Sequence, residues 1–304
     1  MSLSTDLLDA LSPENKIFVA FSGGLDSTAL LFLCNKALKE KKIRNLKAIH
    51  VNHNLSKNSD NWQQHCESFC RSNKIEFESF VIEVSKNRSS IESQARQARY
   101  KIFESLLDEN DQILLAHHRD DVFETLLLRL FRGTGVDGLS GLNEKRSLGK
   151  GEIIRPFLNS SKSDLKIYID ENDLQYVEDD TNSNNDFDRN FLRNEIVPSL
   201  EKRWSKLSER AVITSATAKK KKLSLDYMLE KNFKKEISTG IIERANFIWV
   251  NEKKNQFVLY EEIERLWYKY SKSLDVSCVL EQDCSGTGLI KNSAFLQVRL
   301  CSIK

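Results

Sequence analysis

Lys16-Ile17-Phe18-Val19-Ala20-Phe21 is a run of β-branched and aromatic residues that ends at Ser22-Gly23-Gly24, and Ala29, Leu30, Leu31 and Leu33 then recur at helical spacing. The pattern predicts a strand, a glycine turn and a helix. It recurs along the chain: strands at 46–51, 75–84 and 113–116, and helices at 61–72, 91–107 and 120–131. Strands and helices that alternate at this length require right-handed crossovers, which predicts a parallel, doubly wound α/β sheet covered on both faces. Ligands of such sheets bind beyond the carboxyl ends of the strands, where Ser22–Ser27, His50–His53 and His117–Asp121 fall.

The pattern changes after Pro198. Leu200, Trp204, Leu207, Ala211, Thr214 and Ala218 keep helical spacing and predict one long linking helix, and short apolar runs from Gly240 onward suggest a small α+β domain. With 304 residues the chain exceeds what one core usually serves, so two domains are expected: a catalytic domain at 1–200 and a shortened C-terminal domain at 201–304. Residues 200–270 carry 16 Lys/Arg against 10 Asp/Glu although the whole chain is only +2, so this stretch is a candidate phosphate-facing surface; for a charge run alone a solvated helical face is the simpler reading. No apolar stretch approaches the roughly 18 residues that span a bilayer, and the first residues lack a basic, cleavable leader. The expectation is a cytoplasmic protein with no membrane partner and with reduced cysteines.

Five segments carry chemistry. In Ser22-Gly23-Gly24-Leu25-Asp26-Ser27 the glycines let backbone N–H groups approach a phosphate, and the following helix adds its dipole. The missing Gly-Lys-Ser/Thr ending excludes a Walker loop, and the missing third glycine excludes a dinucleotide fingerprint. A simple capped turn is the bland alternative. In Ala116-His117-His118-Arg119-Asp120-Asp121-Val122-Phe123-Glu124-Thr125 the spacing puts Asp121, Glu124 and Thr125 on one helix face with His117 leading into it. Such a group can hold an ammonium and remove its proton; zinc ligation and helix capping are the competing readings. Glu92, Arg96 and Arg99 share a face of the 91–107 helix, where an ion pair or an α-phosphate contact are both open. Four glycines at 133–141 indicate close backbone approach or mobility, and Arg189 and Arg193, one turn apart after Glu178–Asn182, can meet RNA phosphates or a base.

The hexapeptide after a first strand resembles the PP-loop of N-type ATP pyrophosphatases, and the five segments in this order resemble the tRNA(Ile)-lysidine synthetases over roughly residues 16–204. That resemblance implies an enzyme using ATP and Mg²⁺, with Ser22, Gly23, Gly24, Leu25, Asp26, Ser27 and Arg96 on the nucleotide and Asp26 on the metal. It further implies Asp26, His117, Asp121, Glu124 and Arg99 as catalytic residues and Glu124, Arg189 and Arg193 on the substrates. The implied substrates are free L-lysine and the isoleucine tRNA with a CAU anticodon. Lysine would be joined to C2 of the wobble cytidine through an adenylated intermediate, changing the codon read from AUG to AUA. A 2-thiolase on the same scaffold is the alternative; it needs a cysteine pair, and Cys66 and Cys70 sit at helical spacing suited to packing. The oligomeric state stays open, a homodimer included. Where many relatives carry His-Gly-Leu, this chain has His53-Asn54-Leu55, which predicts Asn54 at positive φ.

Overall fold

The computed structural model describes residues 3–54, 57–82, 91–178 and 183–232. The α+β module expected after Gly240, the segment 179–182 and the side chain of Glu92 lie outside the described residues. A short helix α1 (Leu3–Ala10) precedes the alternating elements β1 (Lys16–Ala20), α2 (Leu25–Lys39), β2 (Asn45–Asn52), α3 (Ser59–Asn73), β3 (Glu76–Val81), α4 (Ile91–Leu106), β4 (Gln112–Leu114) and α5 (Arg119–Phe131). Then come α6 (Val136–Leu139), the hairpin β5 (Lys145–Leu148) and β6 (Gly151–Ile154), and α7 (Lys162–Glu171).

The strands form one six-stranded sheet in the order β3-β2-β1-β4-β6-β5. Successive strands run outward from β1 in one direction and from β4 in the other, so the sheet has a topological switch point between β1 and β4. All pairings are parallel except β5 with β6. The expected mostly parallel sheet ends in an antiparallel edge hairpin. Its turn is tight because Gly149, at φ 57°, takes a left-handed conformation that a residue with Cβ adopts only under strain.

Alternation along β1 explains the two layers. Ile17 and Val19 join one core with Leu30 and Leu31 of α2, Cys66 and Cys70 of α3, and Leu165 of α7. Phe18 faces the other core, with Ile49, Ile113 and Ile153 of the other strands, Phe103 of α4 and Leu107 just beyond it. Each such buried aliphatic or aromatic side chain contributes about 1.5–3 kcal/mol, which fixes the strand register. The carboxyl edge of the sheet is thus held rigidly from both faces.

Beyond α7, α8 (Asp188–Phe191) passes through a π-helical turn (Leu192–Ile196) into α9 (Val197–Arg203), and α10 (Leu207–Asn232) follows. The expected single helix from Leu200 is broken. Trp204 turns to extended backbone and Lys206 takes φ 61°, ending α9 before α10 begins. Packing divides the chain into two compact units between Lys219 and Lys220, within α10. No helix among the described residues is long and apolar enough to cross a membrane.

Candidate active site

The PP-loop leaves β1 at its carboxyl end and closes on itself. Ser22 N–H donates to Ser27 Oγ at 3.2 Å, the two hydroxyls lie 3.0 Å apart, and Ser27 Oγ donates to Gly24 O at 3.1 Å. Gly23 is at φ 83°, and a Cβ there would stand 2.9 Å from Cys66 Sγ. Its carbonyl accepts Val177 N–H at 2.9 Å, so the loop is pinned to α3 below and to the 174–178 segment beside it. Glycine is demanded here by conformation and by space.

Across the switch point, the end of β4 sends two adjacent histidines to different surroundings, as extended backbone must. His118 is buried; its Nε2 is 3.7 Å from Asp26 Oδ2 and 3.5 Å from Asp121 Oδ2, and its Nδ1 is 3.4 Å from Asp120 Oδ2. Burial lowers its pKa, but the Asp120 and Asp26 contacts and the charges of Asp121 and Asp26 outweigh that and raise it to about 10. It is an imidazolium that ties the phosphate loop to α5. Sequence reasoning missed His118, although it stands beside His117 in the same motif.

His117 is the opposite case. Burial depresses its pKa most, the Asp121 charge offsets part, and Arg155, Arg189 and Arg99 depress it further, to about 3. A neutral ring with a buried, unpartnered Nδ1 results. The α5 terminus that carries both histidines is braced from α7: Arg119 N–H donates to Ser160 O at 2.8 Å, and Lys162 N–H donates to Asp120 Oδ2 at 2.8 Å.

Asp121 and Glu124 come together on the buried face of α5, as the spacing predicted, and Arg189 and Arg193 meet them there. Arg189 donates to Glu124 Oε2 and to Asp121 Oδ1, each at 2.7 Å. Arg193 donates to Glu124 at 2.6 and 2.9 Å. Two carboxylates and two guanidiniums thus form one cluster, with Glu124 only 4% exposed and each arginine about a third exposed. Burial raises the pKa of Asp121, but the charges of His118 and Arg189 outweigh it and hold the carboxyl below its usual range. Both guanidiniums are engaged by the carboxylates, while about a third of each side chain stays exposed. Arg193 lies in the π-helical turn, a local irregularity that recurs at functional sites.

The remaining predicted residues are placed as follows. Arg99 lies near enough to His53 and His117 for its charge to lower the pKa of both, and Arg96 is exposed and lies 4.9 Å over the Tyr100 ring. The glycine loop is held by Arg129, which donates to Gly138 O and Gly141 O at 2.9 and 3.0 Å. Asn54 is at φ 50° and its N–H donates to Asn52 Oδ1, so asparagine does supply the left-handed turn. Cys66 and Cys70 are buried, and burial pushes both thiols up, Cys70 to about 12. Among the described residues no three His, Cys, Asp or Glu side chains are grouped to hold a metal by themselves. Asp26 Oδ1, however, is buried without a hydrogen-bond partner, which suits Mg²⁺: that ion takes one or two carboxylates and completes its shell with phosphates and water.

A phosphate cradle after β1, a charged cluster after β4 and a crevice between them define a PP-loop nucleotide-binding domain. Residues 2–200 match the PP-loop domain family, and the chain belongs to that family. Among curated proteins the chain is similar to tRNA(Ile)-lysidine synthases. That of Coxiella burnetii is 43% identical over 198 residues, covering 65% of this chain and 44% of the relative. That of Legionella pneumophila is 43% identical over 202 residues, covering 66% and 46%. The aligned part thus spans under half the length of these relatives. Among solved structures, the U34-tRNA thiolase NcsA from Methanococcus maripaludis with its [4Fe-4S] cluster shares the fold, with a TM-score of 0.55 at 20% identity over 70% of this chain and 77% of that one.

Proposed function

We propose that this chain is an ATP-dependent ligase that joins free L-lysine to C2 of the wobble cytidine of tRNA(Ile) with a CAU anticodon, by way of an adenylated tRNA. The observation that carries the reading is the cluster at the switch point: a phosphate loop stands beside a buried carboxylate pair that already accepts cationic side chains at hydrogen-bond distance. Similarity to lysidine synthases over about two thirds of the chain supports it. We assign the catalytic domain to residues 1–200 and tRNA binding to residues 201–304, in the cytoplasm.

In the first half-reaction the cytidine 2-carbonyl oxygen attacks the ATP α-phosphorus, the O–P bond forms, and pyrophosphate leaves. Backbone N–H groups from Ser22 to Ser27 hold the pyrophosphate, and Arg99 neutralises charge developing on the α-phosphate. Mg²⁺, when bound through Asp26, supplies counter-charge to the leaving group. His118, bonded to Asp26, orients that carboxylate.

In the second half-reaction the lysine ε-nitrogen attacks C2, the C–N bond forms, and the C–O bond to AMP breaks. Glu124 and Asp121 hold the incoming ammonium. The nearby guanidiniums of Arg189 and Arg193 disfavour a further positive charge and so ease loss of its proton, which Asp121 or the neutral His117 accepts. A thiolase reading would require an accessible thiolate or cluster ligands, and the buried thiols of Cys66 and Cys70 do not fit that requirement.

The test is incorporation of radiolabelled lysine into purified tRNA species with ATP present. Label in the CAU-anticodon isoleucine tRNA alone, with stoichiometric AMP release, is the expected result. ATP turnover that ignores lysine overturns the assignment.

A further inference from the structure

Two elements, α4 and β5, bring three arginines onto one aromatic ring. Arg96 of α4 and Arg146 of β5 lie 4.9 and 5.0 Å from the centroid of Tyr100, and Arg99 lies at 5.9 Å. Arg96 Nη2 also donates to the Tyr100 hydroxyl at 3.1 Å. Arg155, close enough to Tyr100 for their electrostatics to couple, follows β6 and is only 3% exposed. Its Nη1 donates to Asn143 O at 2.7 Å, while its buried Nε has no partner among the described residues.

Charge without counter-charge is the unusual feature. Ion pairs among the described residues engage Arg44, Arg71, Arg119, Arg132, Arg189 and Arg193 but none of Arg96, Arg146 and Arg155. Burial lowers the Arg155 pKa, Tyr100 offsets part of this, and the charges of Arg146 and Arg96 lower it again, so these guanidiniums sense one another. Cations gathered on a ring at mutual cost, with two of them exposed, make a ready site for an arriving anion.

Position selects the anion. β5 is the edge strand, three strands from β1 in the order β1-β4-β6-β5, or about 14 Å at the usual strand spacing. In the proposed reaction the phosphate loop after β1 and Arg99 take the ATP phosphates, whereas Arg146 stands on the strand farthest from that loop. A second phosphate at this distance belongs to a longer polyanion that reaches the same crevice.

We propose that Arg96 and Arg146, held on Tyr100 and supported by Arg155, dock a backbone phosphate of the RNA substrate. This moves Arg96 away from the nucleotide, which its spacing with Arg99 had suggested. Arg155 is a positioning residue for Tyr100, and the exposed pair makes the contact. The inference rests on the reading of the substrate as a tRNA.

The experiment measures binding of unmodified tRNA to the full chain across a salt series, and binding of ATP without tRNA, for wild type, Arg146→Gln and Arg146→Lys. Arg146→Gln is expected to weaken tRNA binding about tenfold or less at moderate salt and to lower the log–log salt slope by about 0.7–0.9, the value for one phosphate fewer neutralised. ATP affinity stays the same, and Arg146→Lys recovers most of the slope. An unchanged slope in Arg146→Gln overturns the proposal. So does a fall in ATP affinity, which would put the cluster in the nucleotide site. Lysidine formation by wild type with an indifferent Arg146→Gln sinks this inference alone; RNA binding that follows Arg146 without lysine transfer sinks the proposed activity and keeps the docking site.

Discussion

Asp26 has one carboxylate oxygen near the His118 imidazolium and the other buried without a partner. A cation is what this geometry leaves room for, so Asp26→Asn should lower tRNA-dependent ATP–pyrophosphate exchange by about 100-fold or more with the melting temperature little changed. Exchange near the wild-type rate would remove Asp26 from the phosphate site. His53 gives a prediction of a different kind. Burial first, and then the charges of Arg99 and His50, lower its pKa from 6.5 to about 4, so the folded state keeps it neutral. The unfolded chain takes up that proton below about 6.5; stability is therefore intact above that pH, falls as the pH drops and levels off near 4. Its contribution is on the order of 1 kcal/mol, discounted for partial exposure. Urea midpoints at pH 7 and pH 5 should differ less in His53→Gln than in wild type. The phosphate loop was readable because its residues are consecutive and glycine has few reasons to stand twice before a helix. His118 was not, because two adjacent histidines look alike until the strand sends one of them inward.

At the level of elements, the helical stretch from α8 through the π turn to α9 matters most, since it carries Arg189 and Arg193 onto α5. Arg193→Gln leaves a nearly buried Glu124 with fewer partners and should cost about 2–3 kcal/mol by urea unfolding. The double change Arg193→Gln with Glu124→Gln should cost less than the sum of the two single changes by about 1–3 kcal/mol. Strict additivity would mean the pair is not coupled. In the proposed reaction the same glutamate would separate the half-reactions, because adenylation requires no lysine. Glu124→Gln should slow a lysine chase onto trapped adenylated tRNA more than it slows formation of that intermediate; the reverse order would assign the carboxylate to the nucleotide half of the site. Helical spacing did place Asp121 with Glu124 and Arg189 with Arg193, as i,i+3 and i,i+4 neighbours. That the two pairs face each other depends on contacts between residues 65 and more positions apart, which periodicity does not contain.

For the whole molecule, the switch point between β1 and β4 places phosphate loop, histidines and carboxylates in one crevice, while the basic run Lys219–Lys222 straddles the boundary between the two compact units. If that run meets tRNA phosphates, replacing all four lysines by Gln should lower the salt slope of tRNA binding by up to about 0.7–0.9 for every phosphate that is no longer neutralised. An unchanged slope would make it a solvated helix face. The alternation of strand and helix, the phosphate loop and the helix-face pairing of acids and of arginines were determined by the sequence itself, because each follows from conformational preference or periodicity within about thirty consecutive residues. Tertiary structure alone decided the antiparallel edge hairpin, the break at Trp204, the burial of His118 among three carboxylates and the gathering of arginines on Tyr100. Those depend on which distant surfaces meet, and burial and unscreened charge, unlike periodicity, are properties of the packed molecule.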